Sequence, residues 1–235
     1  MNRITRTVLA TALLSAVATA AQAQNYGMPL FTNPHYGTGV RVFVDLGMPG
    51  NEISTDSIDS KTIQGGVGFS LGPVGIQALV AGNFGDVQNC SGSTPGIECA
   101  STSVSGAALA GLRLVGGGAN PLALAVFGGV GTDFTGYEFA TGISGPRTLS
   151  IPVGVSVGYK LGKLMIWGAP RYNRYQAIDC GGTCPDAVDE FRWAAGANLP
   201  LGPIGLRAAY DGGKYGGENV SFFAVGASIG IGSHQ

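Results

Sequence analysis

From Leu149 to Leu161 the chain alternates without a break. Leu149, Ile151, Val153, Val155, Val157, Tyr159 and Leu161 are apolar, and between them stand Ser150, Pro152, Gly154, Ser156, Gly158 and Lys160. A β-strand sends these two sets to opposite faces, whereas a helix would scatter both around its surface. The run is long enough to cross a bilayer, which takes a tilted strand of about 9–11 residues. Of the chain's 235 residues only 11% are charged, and 45% are hydrophobic. That is far below the roughly 25% charge of an ordinary soluble domain. Past the N-terminus no segment approaches the roughly 18–20 unbroken apolar residues of a spanning helix. An apolar chain without apolar helices is left with the closed β-barrel as its way of satisfying its backbone in lipid.

The same period recurs along the chain. Val40, Val42, Val44 and Leu46 alternate with Arg41, Phe43 and Asp45. Ile63, Val67, Phe69 and Leu71 alternate with Gln64 and glycines, and Ile76, Val80 and Phe84 oppose Gln77 and Asn83. Leu112 and Leu114 flank Arg113, and Leu122, Leu124 and Val126 begin a further strand. Leu164 and Ile166 oppose Trp167 and Arg171; Phe191, Trp193 and Leu199 oppose Arg192 and Asn198; Ile204, Leu206 and Tyr210 oppose Arg207. Phe223, Val225, Ile229 and Ile231 close the series. These segments predict an all-β, antiparallel, up-and-down transmembrane barrel of about ten strands, with eight as the lower alternative.

Short turns fall at 71–75, 116–121, 161–164 and 201–205, and longer polar loops at about 48–61, 85–103, 132–148, 177–190 and 211–219. Bacterial barrels are built with short periplasmic turns and long extracellular loops. Five loops and four turns require an even ten strands with both termini in the periplasm. Of the 14 acidic residues, all but Asp45 fall in the five long loops. The bases sit instead on the small-residue faces of strands. An arginine facing lipid near the midplane costs about 2–4 kcal/mol. The alternation therefore assigns Arg41, Asp45, Gln64, Gln77, Arg113, Lys160, Arg171, Arg192 and Arg207 to the lumen.

Alternation alone also fits a soluble exported barrel of the lipocalin type, whose apolar face would point inward. The other face of these strands, mostly Gly, Ala and Ser, would make a poor soluble exterior. Tyr159, Tyr172, Phe191, Trp193 and Tyr210 lie near strand ends on the apolar face, where an aromatic girdle belongs. Ordinary core packing is the alternative for those five.

At the N-terminus, Arg3 and Arg6 precede a 13-residue apolar run, Val8–Ala20, and then Ala21-Gln22-Ala23. This is the pattern of a secretory signal peptide cleaved after Ala23. The expected organisation is a signal peptide over 1–23, a periplasmic segment over 24–38 and a barrel over 39–235. Export makes the four cysteines candidates for disulfides. Local pairing, Cys90–Cys99 and Cys180–Cys184, closes one short loop each; a thiolate metal site and a redox pair are the alternatives.

With its signal peptide and its strands over 39–231, the chain resembles the small outer-membrane β-barrels of Gram-negative bacteria, the porin-like and surface-protein families. The resemblance is one of pattern and carries no specific motif. It implies residence in the cell outer membrane among its lipid and lipopolysaccharide, after insertion by the barrel assembly machinery. Such proteins usually end on an aromatic residue, whereas this chain ends Ile231-Gly232-Ser233-His234-Gln235, with Phe222 and Phe223 further back.

Membrane-barrel hydrolases and acyltransferases generally need a histidine to activate a nucleophile or water. His35 and His234 both lie near the termini, and no Gly-x-Ser-x-Gly occurs. The expectation is a non-catalytic structural or surface barrel, or a narrow, weakly anion-preferring pore. A barrel hydrolase and a soluble binding barrel stand as alternatives. No residue pattern asks for a cofactor or a resident metal. With a formal net charge of −1 and no basic cluster, the chain offers nucleic acid no field.

Overall fold

The computed structural model describes residues 28–35, 37–49, 59–87, 99–100, 103–117, 119–134, 138–139, 143–144, 147–180, 183–215 and 218–231. The proposed signal peptide and Cys90 lie outside them.

Ten long strands follow in chain order: β1 (Gly39–Pro49), β2 (Asp59–Leu71), β3 (Val74–Val87), β4 (Ser103–Gly117) and β5 (Asn120–Asp133), then β6 (Arg147–Leu161), β7 (Leu164–Ile178), β8 (Val188–Leu201), β9 (Ile204–Tyr215) and β10 (Glu218–Ile231). Each pairs antiparallel with its sequence neighbours, and β1 pairs with β10 from Val40↔Ile231 to Pro49↔Phe222. The sheet is thereby closed, and a closed sheet leaves no unpaired edge. Two-residue elements add a short strand, Cys99–Ala100, beside the end of β3, and a small hairpin joins Glu138–Phe139 to Ile143–Ser144.

The connections at one end are tight. In Leu71-Gly72-Pro73-Val74 and Leu201-Gly202-Pro203-Ile204 the glycine has φ of 61° and 73° respectively. Proline then holds its own φ near about −65°. Positive then negative φ is the sign pattern of a II′ hairpin turn, whose twist suits antiparallel strands. The Pro73 carbonyl accepts from the Arg113 amide at 2.8 Å and the Pro203 carbonyl from the Gly230 amide at 2.9 Å, tying each turn to the next strand. In β4 the register shifts between Arg113 and Val115, so that Leu114 and Val115 are both exposed. Such a bulge explains why alternation fades there.

The apolar faces point out. Val42, Val44, Ile63, Val67, Val80, Val153, Val155, Ile204, Leu206 and Ile229 are all exposed. The inner face carries Phe43, Leu109, Phe127 and Trp167 among alanines, glycines and polar groups. A lipocalin-like soluble barrel would have the two faces exchanged, so that alternative falls.

The lumen is filled in a regular way: large inward side chains stand opposite glycines. Phe43 pairs across the ladder with Gly66, Trp167 with Gly196, Phe127 with Gly154 and Leu109 with Gly129. A Cβ on Gly66 would lie 2.5 Å from the Phe43 ring, one on Gly196 2.5 Å from the Trp167 ring, and one on Gly154 2.9 Å from the Phe127 ring. Each ring lies over the bare backbone of its neighbour, which is how an aromatic side chain compensates a strand glycine.

Two sequence expectations need correction. The loop placed at 211–219 is a tight hairpin, because β9 runs to Tyr215 and β10 starts at Glu218. Asp211, counted there as a loop residue, is a fully buried lumen residue, and β8 likewise takes in Asp189 and the buried Glu190. Hydrogen-bonded hairpins continue beyond the apolar band, so polarity alone marks the strand ends too early. The second correction concerns 24–38, expected in the periplasm. Residues 28–35 lie inside the barrel, with Met28, Leu30, Phe31 and His35 buried. This stretch is apolar over 28–31 and uncharged until His35, and the small inner-face residues leave room for it.

Candidate functional site

The lumen's chemistry is concentrated in two ion clusters and the segment that runs between them. Nearer the loop end, Asp211 on β9 accepts from Arg171 on β7 and Arg192 on β8. The closest approaches are 2.6 Å from the Arg171 guanidinium and 2.9 Å from that of Arg192. All three side chains are essentially inaccessible to solvent. Arg171 Nε also donates to Asn173 at 3.1 Å, Asn173 donates to the Tyr175 hydroxyl at 2.7 Å, and Arg192 donates to the Lys214 carbonyl at 3.2 Å. Buried arginines are tolerable only when paired and hydrogen-bonded in this way.

Nearer the short-turn end, Arg207 on β9 donates through Nε and a terminal nitrogen to both oxygens of Asp45 on β1, and Gln64 on β2 donates to the same carboxylate at 3.1 Å. The Arg207 guanidinium lies 4.0 Å from the centroid of Phe43 and 4.2 Å from that of Phe31. A desolvated guanidinium this close to two rings gains cation–π attraction from each.

Phe31 belongs to the inner segment, and that segment is held at several points. The Leu30 amide donates to Asp211 at 3.2 Å, Gln77 donates to the Phe31 carbonyl at 2.9 Å, and Ser156 donates to the Thr32 carbonyl. Phe31 also packs against Trp167, with ring centroids 6.4 Å apart. Pro34 and His35 fill the space over Gly158. Burial holds the His35 imidazole below its ordinary pKa, and the positive charges of Lys160 and Arg113 act in the same direction.

The lumen residues expected from the sequence therefore divide. Arg171, Arg192, Arg207, Asp45 and Gln64 are buried and joined in the two clusters, and Gln77 binds the inner segment. Arg113 reaches the Gly72 carbonyl at 3.1 Å at the short-turn end, half-buried at the rim and not deep in the lumen. Arg41 and Lys160 are half-buried at that same end. The girdle residues Tyr159, Tyr172, Phe191, Trp193 and Tyr210 are all exposed on the outer surface. Four of them gather towards the loop end: Tyr172 pairs with Phe191, and Trp193 packs against Tyr210 at 5.3 Å. Tyr159 stands near the opposite rim. Cys180 and Cys184 form the expected disulfide; Cys90 and the Cys99 side chain lie outside what is described.

Sequence reasoning missed Asn173, the inner segment, and Thr62 and Ser103, the two residues that bond Asn83 on either side. Asn173 and Thr62 could have been found by extending the inward parity of Arg171 and Gln64 by two residues. Met28 to His35 carry no period and no motif, so nothing in the sequence marks them as lumen residues.

No protein-family model and no curated protein matches the chain. Solved structures do. The translocator domain of the autotransporter NalP from Neisseria meningitidis is similar at 17% identity with a TM-score of 0.50, covering 95% of each chain. An outer-membrane channel from Pseudomonas putida F1 is similar at 9% identity with a TM-score of 0.52, covering 87% of this chain and all of that one. The fold is that of an outer-membrane β-barrel. Its apolar band and aromatic girdle face outward, as residence in the outer membrane requires. The barrel's ten strands lie close to the number whose interior side chains just fill.

Proposed function

We propose that this chain is a non-catalytic structural or surface barrel of the outer membrane whose lumen its own N-terminal segment closes. The observation that carries the reading is the placement of residues 28–35. Their backbone is bonded to Asp211, Gln77 and Ser156, and Phe31 lies against the Arg207 guanidinium. Rings from Phe43, Phe127 and Trp167 fill much of the remaining section. With the segment in place, these groups narrow the passage open to a solute the size of a sugar.

The non-catalytic part rests on how the acids of the two ion clusters are used. Asp45 and Asp211 are each engaged by arginines and by further donors, which leaves neither placed as a general base. Residual conduction would favour anions weakly, because the bases at the short-turn end outnumber the acids there. Autotransporter translocation and channel activity belong to the similar structures and are not carried over.

Planar-bilayer recording of the refolded full chain tests the reading. The wild type is expected to show no large openings, and Phe31→Glu, which puts a second acid beside Asp45 and breaks the ring stack, should raise conductance. Large, stable, unselective openings in the wild type would defeat the closed-lumen reading. Release of fatty acid from phospholipid, or cleavage of peptides, would defeat the non-catalytic one.

A further inference from the structure

The short-turn end of the lumen opens into a vestibule of about 440 Å³ between the inner segment and strands β6–β10 and β1. Among the described residues its wall carries His35, Arg41, Lys160 and Lys163, together with Asn33 and Asn198, and no carboxylate. Arg41 also borders a second, smaller cavity of about 130 Å³ beside Gln77 and Ser70. Elsewhere in the lumen each arginine cluster is built around an aspartate, so an all-basic wall is a departure from the rule the molecule otherwise follows.

We propose that this vestibule is a binding site for an oxyanion group, phosphate above all, centred on Arg41. The Arg41 Nε atom is buried and makes no hydrogen bond among the described residues. A buried, unmet donor of this kind is costly unless a ligand or water completes it. Asp45, the carboxylate behind it, is already taken by Arg207 and Gln64. The guanidinium lies over Gly68, with its nitrogens 3.7 and 3.8 Å from where a Cβ would stand, so no neighbouring side chain covers it from that strand. A planar fork of N–H donors matches two oxygens of a phosphate, and Lys160 and Lys163 add charge at the mouth. Trp167 donates to Asn198 Oδ1 at 2.8 Å, which leaves the Asn198 amide group as a further donor at the wall. By the topology of such barrels this mouth faces the periplasm, where the group could be a free phosphate or the headgroup of an inner-leaflet phospholipid.

The site goes beyond the closed-lumen reading and is tested by binding, not by conductance. The full-length protein, refolded in a zwitterionic detergent, is titrated with inorganic phosphate at low ionic strength by calorimetry. Saturable binding is expected. Arg41→Gln should weaken it by about tenfold, the loss of one charge-assisted bond. Arg41→Lys, which keeps the charge but loses the fork, should fall between. Arg174→Gln, on the outer surface beside Asp189, should leave binding unchanged. Heat-shifted gel mobility shows that each variant is folded. The source is separated in nanodiscs. Phosphate binding lost when phosphatidylglycerol replaces part of the phosphatidylcholine assigns the site to a lipid headgroup, and binding retained assigns it to the free anion. No saturable binding by the wild type, or equal binding by folded Arg41→Gln, would overturn the proposal.

Discussion

Asp45 and Arg207 meet across a strand that separates them. Asp45 on β1 and Arg207 on β9 are both ladder partners of Gly226 on β10, one on each side. The two side chains close over that glycine and join through both oxygens of the carboxylate. They are 162 residues apart in sequence. Their contact therefore spans the seam where the first and last strands of the barrel join.

Gly226 is consequently a position where the smallest substitution should be felt. A Cβ there would stand 2.0 Å from Asp45 Oδ1 and 2.5 Å from the Val44 carbonyl. Gly226→Ala is expected to destabilise the refolded barrel by about 3 kcal/mol, the range for breaking a buried pair. Urea titration followed by the folded gel band measures it; an unchanged midpoint would show that the pair is dispensable.

At the other cluster, Asp211→Asn removes the shared countercharge of Arg171 and Arg192 and weakens an acceptor of the Leu30 amide. A loss of about 3–5 kcal/mol is expected for leaving buried charge uncompensated. Arg192→Met in the same background should recover part of it, since one fewer cation then needs a partner. A double variant as unstable as the single one would refute the account.

Val155 faces out at 41% exposure while Ser156 is buried against Thr32. Val155→Arg should impair assembly by about 2–4 kcal/mol. Ser156→Arg should act differently, by displacing the inner segment, and should raise conductance in a barrel that still folds. Normal assembly of Val155→Arg, with a Val155→Cys variant that resists a lipid-phase thiol probe, would reverse the facing assignment.

The loop cysteines are expected to be oxidised locally. Digestion without reductant followed by mass mapping should return Cys180 linked to Cys184, as in the structure, and Cys90 linked to Cys99. A Cys90–Cys180 link, free thiols or bound zinc would contradict the local pairing.

The barrel was readable in the sequence because lipid imposes a rule on every outward residue. Val153, Val155 and Val157 must all be apolar, and one such run sets the period, the facing and the length at once. The lumen obeys no comparable rule. Parity places Arg171 and Arg192 inside and leaves Asp211, at a strand end, as a candidate partner for the inward bases. The polar stretch 211–219 also counts it among the loop acids, and nothing in the pattern says which bases it joins. Leu30 and Phe31 were harder still. What holds them is tertiary, through donors on β3 and β6 and an acceptor on β9 that are distant in the chain, and a stretch of eight residues without a period carries no trace of them.

The opposition of large inward side chains to glycines bears on how the strands find their alignment. A slip of one residue would turn an apolar face inward, so the lipid forbids it. A slip of two would keep every outward residue outward, and the membrane could not tell the difference. The interior can: moved by two, Trp167 would face Asn198 or Ala194 in place of Gly196, and Phe127 would face Ser156 or Pro152 in place of Gly154. Odd errors are thus rejected from outside the wall and even ones from within it.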